Sequence, residues 1–185
     1  MLDWTVAKAA TVSDDVVVAL PANVTHNLRG SYPRCRFITG GQTRQETVKA
    51  LLDQTDRDWI VVHDVARPFA SLDLIRAVVD AAAETGAVGA FGPIDVPVAI
   101  IADGKVVGRH ASSEVGLFQS PLAFRREILL AAYERARNDG RQDQSTVELV
   151  LAAGFDVRAV SGERQNIKIT HPEDLLLARL LARRL

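Results

Sequence analysis

The stretch Trp59-Ile60-Val61-Val62-His63-Asp64-Val65-Ala66-Arg67-Pro68-Phe69 decides how the rest of the chain is interpreted. Its first four residues are aromatic or β-branched, which predicts a strand buried on both faces, as in the centre of a parallel sheet. Polar residues follow where the strand ends, and ligands of open α/β sheets bind beyond the carboxyl ends of strands. Asp64 could hold a divalent cation or a ribose hydroxyl, and Arg67 could hold a phosphate. The stretch is equally compatible with an ordinary strand followed by a local salt bridge.

Composition narrows the classes of protein to which the chain can belong. A length of 185 residues suits one domain, and 48% hydrophobic residues with 24% charged residues are typical of globular proteins. The 22 basic and 23 acidic residues nearly cancel, which argues against binding to nucleic acid or to an anionic membrane. The single Cys35 cannot form an internal disulfide, and neither a membrane span nor a signal peptide is seen. We therefore expect a cytoplasmic protein.

The first half of the chain alternates between helix and strand patterns. Connections of a dozen residues or more between strands predict parallel pairing with right-handed crossovers, as in an α/β fold. The predicted elements are a helix Leu2–Ala10, a strand Val16–Leu20, a weak helix or loop up to Gly30, a strand Arg36–Thr39, a helix Gln42–Leu52, the strand Trp59–Val62, a helix Leu72–Ala83 capped by Ser71, and a strand Gly86–Phe91.

The second half departs from this alternation. Two β-rich runs within Val98–Val107 flank Asp103-Gly104, a strong hairpin signal, and such an isolated arm needs to pack on its own domain or on a second subunit. The later predicted elements are a strand Leu117–Pro121, helices Leu122–Arg137 and Ser145–Ala153, strands Val157–Val160 and Asn166–Thr170, and a last helix that begins with a capping box at Thr170 and Glu173.

Two further positions could bind a ligand. Gly40-Gly41 precedes a helix, where backbone N–H groups can approach an anion or a ring edge, although glycine pairs more often mark turns. Lys168 lies between apolar neighbours near a predicted strand end, where it needs an anion or water. Thr170 and His171 fit helix caps better than ligands.

Several separated motifs coincide with one family. They are Gly40-Gly41-x-x-Arg44-x-x-Thr47-Val48, His63-Asp64-x-Ala66-Arg67-Pro68, Gln119-Ser120-Pro121 and Asn166-Ile167-Lys168-Ile169-Thr170-x-Pro172-Glu173-Asp174-Leu175. In this order and spacing the chain resembles, over nearly its whole length, the 2-C-methyl-D-erythritol 4-phosphate cytidylyltransferases, and it looks similar to their relatives that activate ribitol 5-phosphate. The resemblance implies one Rossmann-like nucleotidyltransferase domain over residues 1–185, with a mainly parallel sheet and a β-hairpin arm.

The resemblance also implies a reaction and a site. A sugar-alcohol phosphate would attack the α-phosphorus of Mg²⁺-bound CTP and release pyrophosphate, so the partners would be CTP and a small phosphorylated polyol. The implied nucleotide-binding residues are Gly40, Gly41, Gln42, Thr47 and Asp64, the implied metal ligand is Asp64, the implied catalytic residues are Asp64 and Lys168, and the implied acceptor-binding residues are Arg67, Ser120, Lys168 and, as a displaced substitute for an arm arginine, Arg109. The arm, about residues 95–117, would form a homodimer.

The sequence also departs from the family pattern. The opening strand and the glycine-rich phosphate loop of the family are not seen, which suggests a fragment, a mis-started reading frame or a shortened homologue. We expect a cytidylyltransferase of the isoprenoid precursor pathway. Two alternatives stay open, namely an inactive homologue acting as a dimeric scaffold and a nucleotidyltransferase with another acceptor such as ribitol 5-phosphate.

Overall fold

A computed structural model describes residues 1–25 and 32–183. Part of the predicted weak helix or loop before Gly30 therefore lies outside the described residues. The helices are α1 Leu2–Val12, α2 Ala22–Thr25, α3 Arg44–Leu52, α4 Leu72–Thr85, α5 Arg126–Asn138, α6 Thr146–Ala152 and α7 Asp174–Ala182. The strands are β1 Val16–Leu20, β2 Cys35–Thr39, β3 Trp59–Val62, β4 Ala87–Gly92, β5 Val98–Ala102, β6 Lys105–His110, β7 Leu117–Arg125 and β8 Arg158–Ser161.

The main sheet has the strand order β3-β7-β4-β8 and is mixed. Strand β7 runs antiparallel to both β3 and β4, while β4 and β8 are parallel, so β3, β4 and β8 all point the same way. Strands β1 and β2 form a separate parallel pair, and β5 and β6 form the hairpin arm. The α/β fold class predicted from the sequence is confirmed. The predicted strand Leu117–Pro121 lies within β7, whose antiparallel pairing makes the main sheet mixed rather than mainly parallel.

Helices cover both faces of this sheet. Leu74, Val78 and Ala82 of α4 pack against Val88 of β4 and Ala123 of β7 on one face. The opposite face receives α3, α5 and α6, whose apolar side chains surround the neighbouring residues of β7, Leu122 and Phe124. Burial of one such large side chain stabilises the fold by roughly 1.5–3 kcal/mol, so these two layers hold the sheet edge that carries the site.

The boundary between β7 and α5 was predicted wrongly. The predicted helix Leu122–Arg137 begins four residues too early, because Leu122 to Arg125 continue the strand and pair with β3. The apolar run Leu122-Ala123-Phe124 fits a helix face as well as a doubly covered strand, and pairing with two neighbours decides for the strand. Helix α5 begins at Arg126, whose amide donates to the carbonyl of Asp58.

The prediction that β3 is buried on both faces is also wrong. Trp59 is 40% exposed and Val61 42% exposed. Among the described residues β3 pairs with β7 alone, so it forms the edge of the main sheet rather than its centre. The guanidinium of Arg125 covers part of the Trp59 ring from 4.9 Å.

Two details near the carboxyl terminus differ from the prediction. The segment Asn166–Thr170 is not a strand, although the amide of Ile169 bonds to the carbonyl of Ala66. The predicted capping box at Thr170 and Glu173 is wrong, because α7 begins at Asp174 with Glu173 as an N-cap residue that makes no side-chain cap bond. The Asp174 carboxylate instead accepts the amides of Thr170 and His171 in the turn before the helix. Thr170 and His171, predicted as cap residues, therefore precede the helix and donate to its first residue instead of capping it.

The hairpin and the Ser71 cap are confirmed. Asp103 and Gly104 both have positive φ, which the tight turn between β5 and β6 requires, and the Ser71 hydroxyl accepts the amide of Leu74. All five residues of β5 are exposed. Within the part of the chain that the structure describes, no helix is long and apolar enough to cross a membrane.

Candidate functional site

The candidate site lies at the carboxyl end of β3, where the sequence predicted it. Asp64 is the centre of the site, because its two carboxylate oxygens meet two different cations. Arg44 Nη2 lies 3.2 Å from Oδ1, and Lys168 Nζ lies 3.1 Å from Oδ2. The Asp64 side chain retains 21% exposure. Burial opposes ionisation, but the charges of Arg44 and Lys168 outweigh it and hold the pKa of Asp64 below its usual value.

Arg44 was quoted in a motif but was not predicted as a site residue. It begins α3, and its other terminal nitrogen donates to the Thr146 hydroxyl at 2.8 Å, which holds the guanidinium between two elements. Arg44 and Thr146 are 102 residues apart in the chain. A local sequence pattern cannot reveal this contact. The available signal was the position of Arg44 in the motif Gly40-Gly41-x-x-Arg44-x-x-Thr47-Val48.

Lys168 forms an ion pair with Asp64, and the residues around it hold its segment in place. Its neighbour Ile169 is tied to the carbonyl of Ala66, and Asn166 is fully buried. The Asn166 amide nitrogen donates to Gln119 Oε1 at 3.1 Å and to the Ser120 carbonyl at 2.8 Å. The prediction that Lys168 needs an anion or water is met in both ways, because Lys168 pairs with Asp64 and its side chain is 42% exposed. The anchoring role of Asn166 was missed.

Arg67 fastens the loop after β3 to its surroundings. One terminal nitrogen donates to the Asn166 carbonyl at 2.7 Å, and the other donates to the Phe118 carbonyl at 2.9 Å. Its Nε is buried without a partner among the described residues. The structure thus places Arg67 beside the Asp64 cluster, with part of its donor capacity already used by the main chain.

His63 and Ser120 form a second polar pair behind Asp64. His63 Nδ1 lies 3.0 Å from the Ser120 hydroxyl, and His63 Nε2 lies 3.1 Å from the Arg67 carbonyl. The Ser120 hydroxyl also accepts the Asp64 amide at 3.0 Å. Burial is the main cause that lowers the pKa of His63, so the ring is neutral near pH 7. Ser120 itself is only 2% exposed.

The residues predicted to bind the nucleotide lie where β2 passes into α3. The Gly41 amide donates to the Thr47 hydroxyl at 3.0 Å, and the Gln42 amide donates to Glu46 Oε2 at 2.8 Å. A Cβ on Gly41 would lie 2.5 Å from the Glu46 Cβ, so the turn has no room for a side chain there. A Cβ on Gly40 would lie 3.1 Å from the Thr47 hydroxyl. The tight turn explains why glycine is needed at Gly41.

Arg109, which was predicted to bind the acceptor, does not contact the Asp64 cluster. It lies on β6 and is exposed, opposite Ala99 of β5. Among the described residues it makes no hydrogen bond or ion pair with the Asp64 cluster. Its predicted role would therefore require a neighbouring subunit.

Asp64 can act as one ligand of a cation, but not as part of a protein cage. Within residues 1–25 and 32–183, no group of three or more His, Cys, Asp or Glu side chains could hold a metal ion. Mg²⁺ is commonly bound by one or two carboxylates together with substrate phosphates and water. The single, partly exposed carboxylate fits that kind of site.

A cavity of about 340 Å³ lies at the opposite end of β3. It is lined by residues just before β1 and at the start of β3, namely Ser13, Asp14, Asp15, Arg57, Asp58 and Trp59. Ligands of open α/β sheets bind at the carboxyl ends of strands, so we assign the site to the Asp64 cluster and not to this cavity.

Comparison with known proteins adds independent findings. The family model described as 2-C-methyl-D-erythritol 4-phosphate cytidylyltransferase matches residues 1–184. A protein of that name from Thermus thermophilus is 39% identical over 189 residues, which cover 99% of this chain and 84% of the relative. Its namesake from Deinococcus radiodurans is 39% identical over 186 residues, covering 98% and 77%.

Solved structures agree with the sequence comparison. The crystal structure of the Thermus thermophilus cytidylyltransferase matches with a TM-score of 0.84 and 35% identity, covering 98% of this chain and 88% of that chain. The 4-diphosphocytidyl-2C-methyl-D-erythritol synthase of Anaerococcus prevotii matches with a TM-score of 0.90 and 25% identity, with the same coverage.

Proposed function

Because this chain belongs to the 2-C-methyl-D-erythritol 4-phosphate cytidylyltransferase family, we propose that the Asp64 cluster is the site of its reaction. The protein transfers the cytidylyl group of CTP to 2-C-methyl-D-erythritol 4-phosphate and releases pyrophosphate, a step of isoprenoid precursor synthesis. The observation that carries the site proposal is a single carboxylate held between Arg44 and Lys168 at the carboxyl end of β3.

The reaction requires positioning and neutralisation of charge. An oxygen of the acceptor phosphate forms a bond to the α-phosphorus, and the bond between that phosphorus and the pyrophosphate oxygen breaks. Negative charge on the phosphoryl oxygens must be balanced by cations fixed in advance. Lys168 supplies such a charge in our proposal, and Asp64 fixes the direction of its ammonium group. The acceptor phosphate would lie on the Arg67 side of the cluster.

The nucleotide would bind beside the turn at Gly40 and Gly41. Gly41 and Gln42 are exposed at this turn, so a cytosine or ribose edge could contact their main chain. Gln42 and Thr47 belong to the same turn, and Arg44 links it to Asp64. This link joins the proposed nucleotide pocket and the proposed reaction centre through one connected set of residues.

Enzymes of this family generally use a divalent cation, and we propose Mg²⁺ for this chain with Asp64 as its protein ligand. The ion would neutralise phosphate charge when bound. Asp64 suits this role because it is ionised at neutral pH and remains partly exposed. Its carboxylate already faces two cations, Arg44 and Lys168, so a further positive charge would need the negative phosphates of the nucleotide beside it.

We propose that the arm around residues 95–117 joins two copies of this single-domain protein. An isolated two-stranded arm is marginally stable in water, and this arm exposes apolar side chains that a partner could cover. Ile101 is 67% exposed, Val106 71% and Val107 61%. In such a homodimer Arg109 would serve the neighbouring subunit. We place the protein in the cytoplasm, without a nucleic-acid or membrane partner, because its charge is balanced and it has a single cysteine.

Pyrophosphate release tests this function directly. Purified protein with CTP, Mg²⁺ and 2-C-methyl-D-erythritol 4-phosphate should release pyrophosphate, and replacing CTP by ATP should abolish the signal. Turnover with ribitol 5-phosphate in place of the methylerythritol substrate would instead support the alternative acceptor. Failure to release pyrophosphate with either acceptor, despite CTP binding, would support a scaffold role.

A further inference from the structure

His63 has no part in the proposed reaction, yet both nitrogens of its ring are engaged. It directly precedes Asp64, and its ring lies between the Ser120 hydroxyl and the Arg67 carbonyl. Buried polar groups are usually hydrogen-bonded, and the two partners of this ring are residues that also contact the Asp64 cluster. The two partners of the ring therefore determine which of its nitrogens donates and which accepts.

The proton positions in this arrangement follow from the chemistry of the partners. A carbonyl oxygen can only accept, so His63 Nε2 carries the proton that it donates to Arg67. In the neutral ring Nδ1 is then an acceptor, and the Ser120 hydroxyl must donate to it. The oxygen of Ser120 keeps its lone pairs for the Asp64 amide, which lies 3.0 Å away.

Ser120 also connects the two partners of the central ion pair. Its hydroxyl accepts the main-chain amide of Asp64, and its carbonyl accepts the side-chain amide of Asn166, two residues before Lys168. Both Ser120 and Asn166 are buried, at 2% and 0% exposure. One buried serine thus contacts the Asp64 main chain through its hydroxyl and the Asn166 side chain through its carbonyl. Only the hydroxyl faces His63.

We propose that His63 is a positioning residue, which orients the Ser120 hydroxyl and so fixes the Asp64 main chain and the direction of its carboxylate. This inference rests on the proposed function of the Asp64 cluster. It gives Ser120 a linking role within the protein, in place of the acceptor-binding role that the family resemblance implies. The expected consequence is an effect of His63 on turnover rather than on substrate affinity.

Three substitutions separate this role from a purely structural one. In His63→Asn the side-chain amide oxygen can still accept from Ser120, whereas in His63→Gln the longer amide can still donate to the Arg67 carbonyl. His63→Ala removes both contacts. We expect kcat to fall roughly ten- to hundredfold in the Ala and Gln variants, with KM for CTP within about threefold, and to be largely restored in the Asn variant.

Amide hydrogen exchange provides a readout that does not depend on turnover. The Asp64 amide should lose protection by about tenfold in the Ala and Gln variants and keep it in the Asn variant. The Glu148 amide, which the Ser145 hydroxyl accepts at 3.1 Å in the cap of α6, is the internal control and should not change. Thermal unfolding of each variant identifies any that fail to fold.

The outcomes are distinguishable. Unchanged Asp64 protection in a folded His63→Ala variant would overturn the positioning role, as would restoration by Gln but not by Asn. An inactive wild-type protein would contradict the proposed function alone. The exchange pattern would still decide whether His63 orients Ser120 and thereby holds Asp64.

Discussion

Replacing Asp64 by Asn tests the reaction centre most directly, because the change removes one charge and leaves the size of the side chain unaltered. The carboxylate faces Arg44 at 3.2 Å and Lys168 at 3.1 Å. At an effective dielectric constant of about 20, each contact represents about 5 kcal/mol of attraction before desolvation is subtracted. The variant would leave two cations facing each other across a neutral amide.

The net effect on stability is much smaller than that gross attraction. Lys168 is 42% exposed and Arg44 32% exposed, so both cations can recover much of their hydration. We expect the free energy of unfolding to fall by about 1–2 kcal/mol, since partly exposed pairs contribute little. In a chain of this length the melting temperature should fall by about 2–4 °C per kcal/mol.

The effect on catalysis should be larger, because a preorganised charge acts on the transition state. We expect kcat/KM to fall by roughly 10²–10³, or about 3–4 kcal/mol, with a matching loss of Mg²⁺-dependent CTP affinity. Pyrophosphate release measures the first quantity and calorimetric titration the second. The matched control is Asp73→Asn, which removes the same charge from a side chain that is 94% exposed on α4. Wild-type activity and Mg²⁺–CTP affinity in the folded Asp64 variant would refute the assignment.

Lys168→Met should reduce kcat/KM by roughly 10²-fold, whereas the surface control Lys49→Met should have no effect in the same assay. Equal effects of the two substitutions would contradict a role for Lys168 in charge neutralisation. Gly41→Ala should weaken CTP binding and lower the melting temperature, because its Cβ would lie 2.5 Å from another Cβ; unchanged binding by calorimetry would remove the turn from the nucleotide site. Deleting Val98–Val107 should leave a monomer, and a dimer that persists at micromolar concentration in light scattering would refute the role of the arm. The Asp64 pKa is lower in the folded than in the unfolded protein. The stabilising contribution of its carboxylate should therefore be complete above about pH 4–5 and disappear as the pH falls through the folded pKa. If the difference in unfolding free energy between wild type and Asp64→Asn does not shrink on acidification, the ion pairs are contradicted.

Local patterns in the sequence determined the elements that depend on nearest neighbours. The Ser71 cap predicted the start of α4, and the Asp103-Gly104 pair predicted the turn of the hairpin, because such signals depend on a few adjacent residues. The placement of Asp64 at a strand end was likewise readable from a short stretch. The separated motifs together indicated the family that the comparisons show.

Only the tertiary structure decided which distant residues complete the site. Arg44 reaches Asp64 and Thr146, and Ser120 meets both Asp64 and Asn166, across separations of 20 to 102 residues. The Arg44 contacts join the start of α3 to the end of β3 and to α6, whereas the Ser120 contacts arise because β7 inserts between β3 and β4. The apolar run that forms the second half of β7 fits a helix as well as a strand. Sheet pairing is a non-local choice that the periodicity of one segment cannot settle. The sequence by itself therefore determined the family and the central aspartate. The packing of α3, β7 and the segment around Lys168 determined the neighbours that set the charge and orientation of that aspartate.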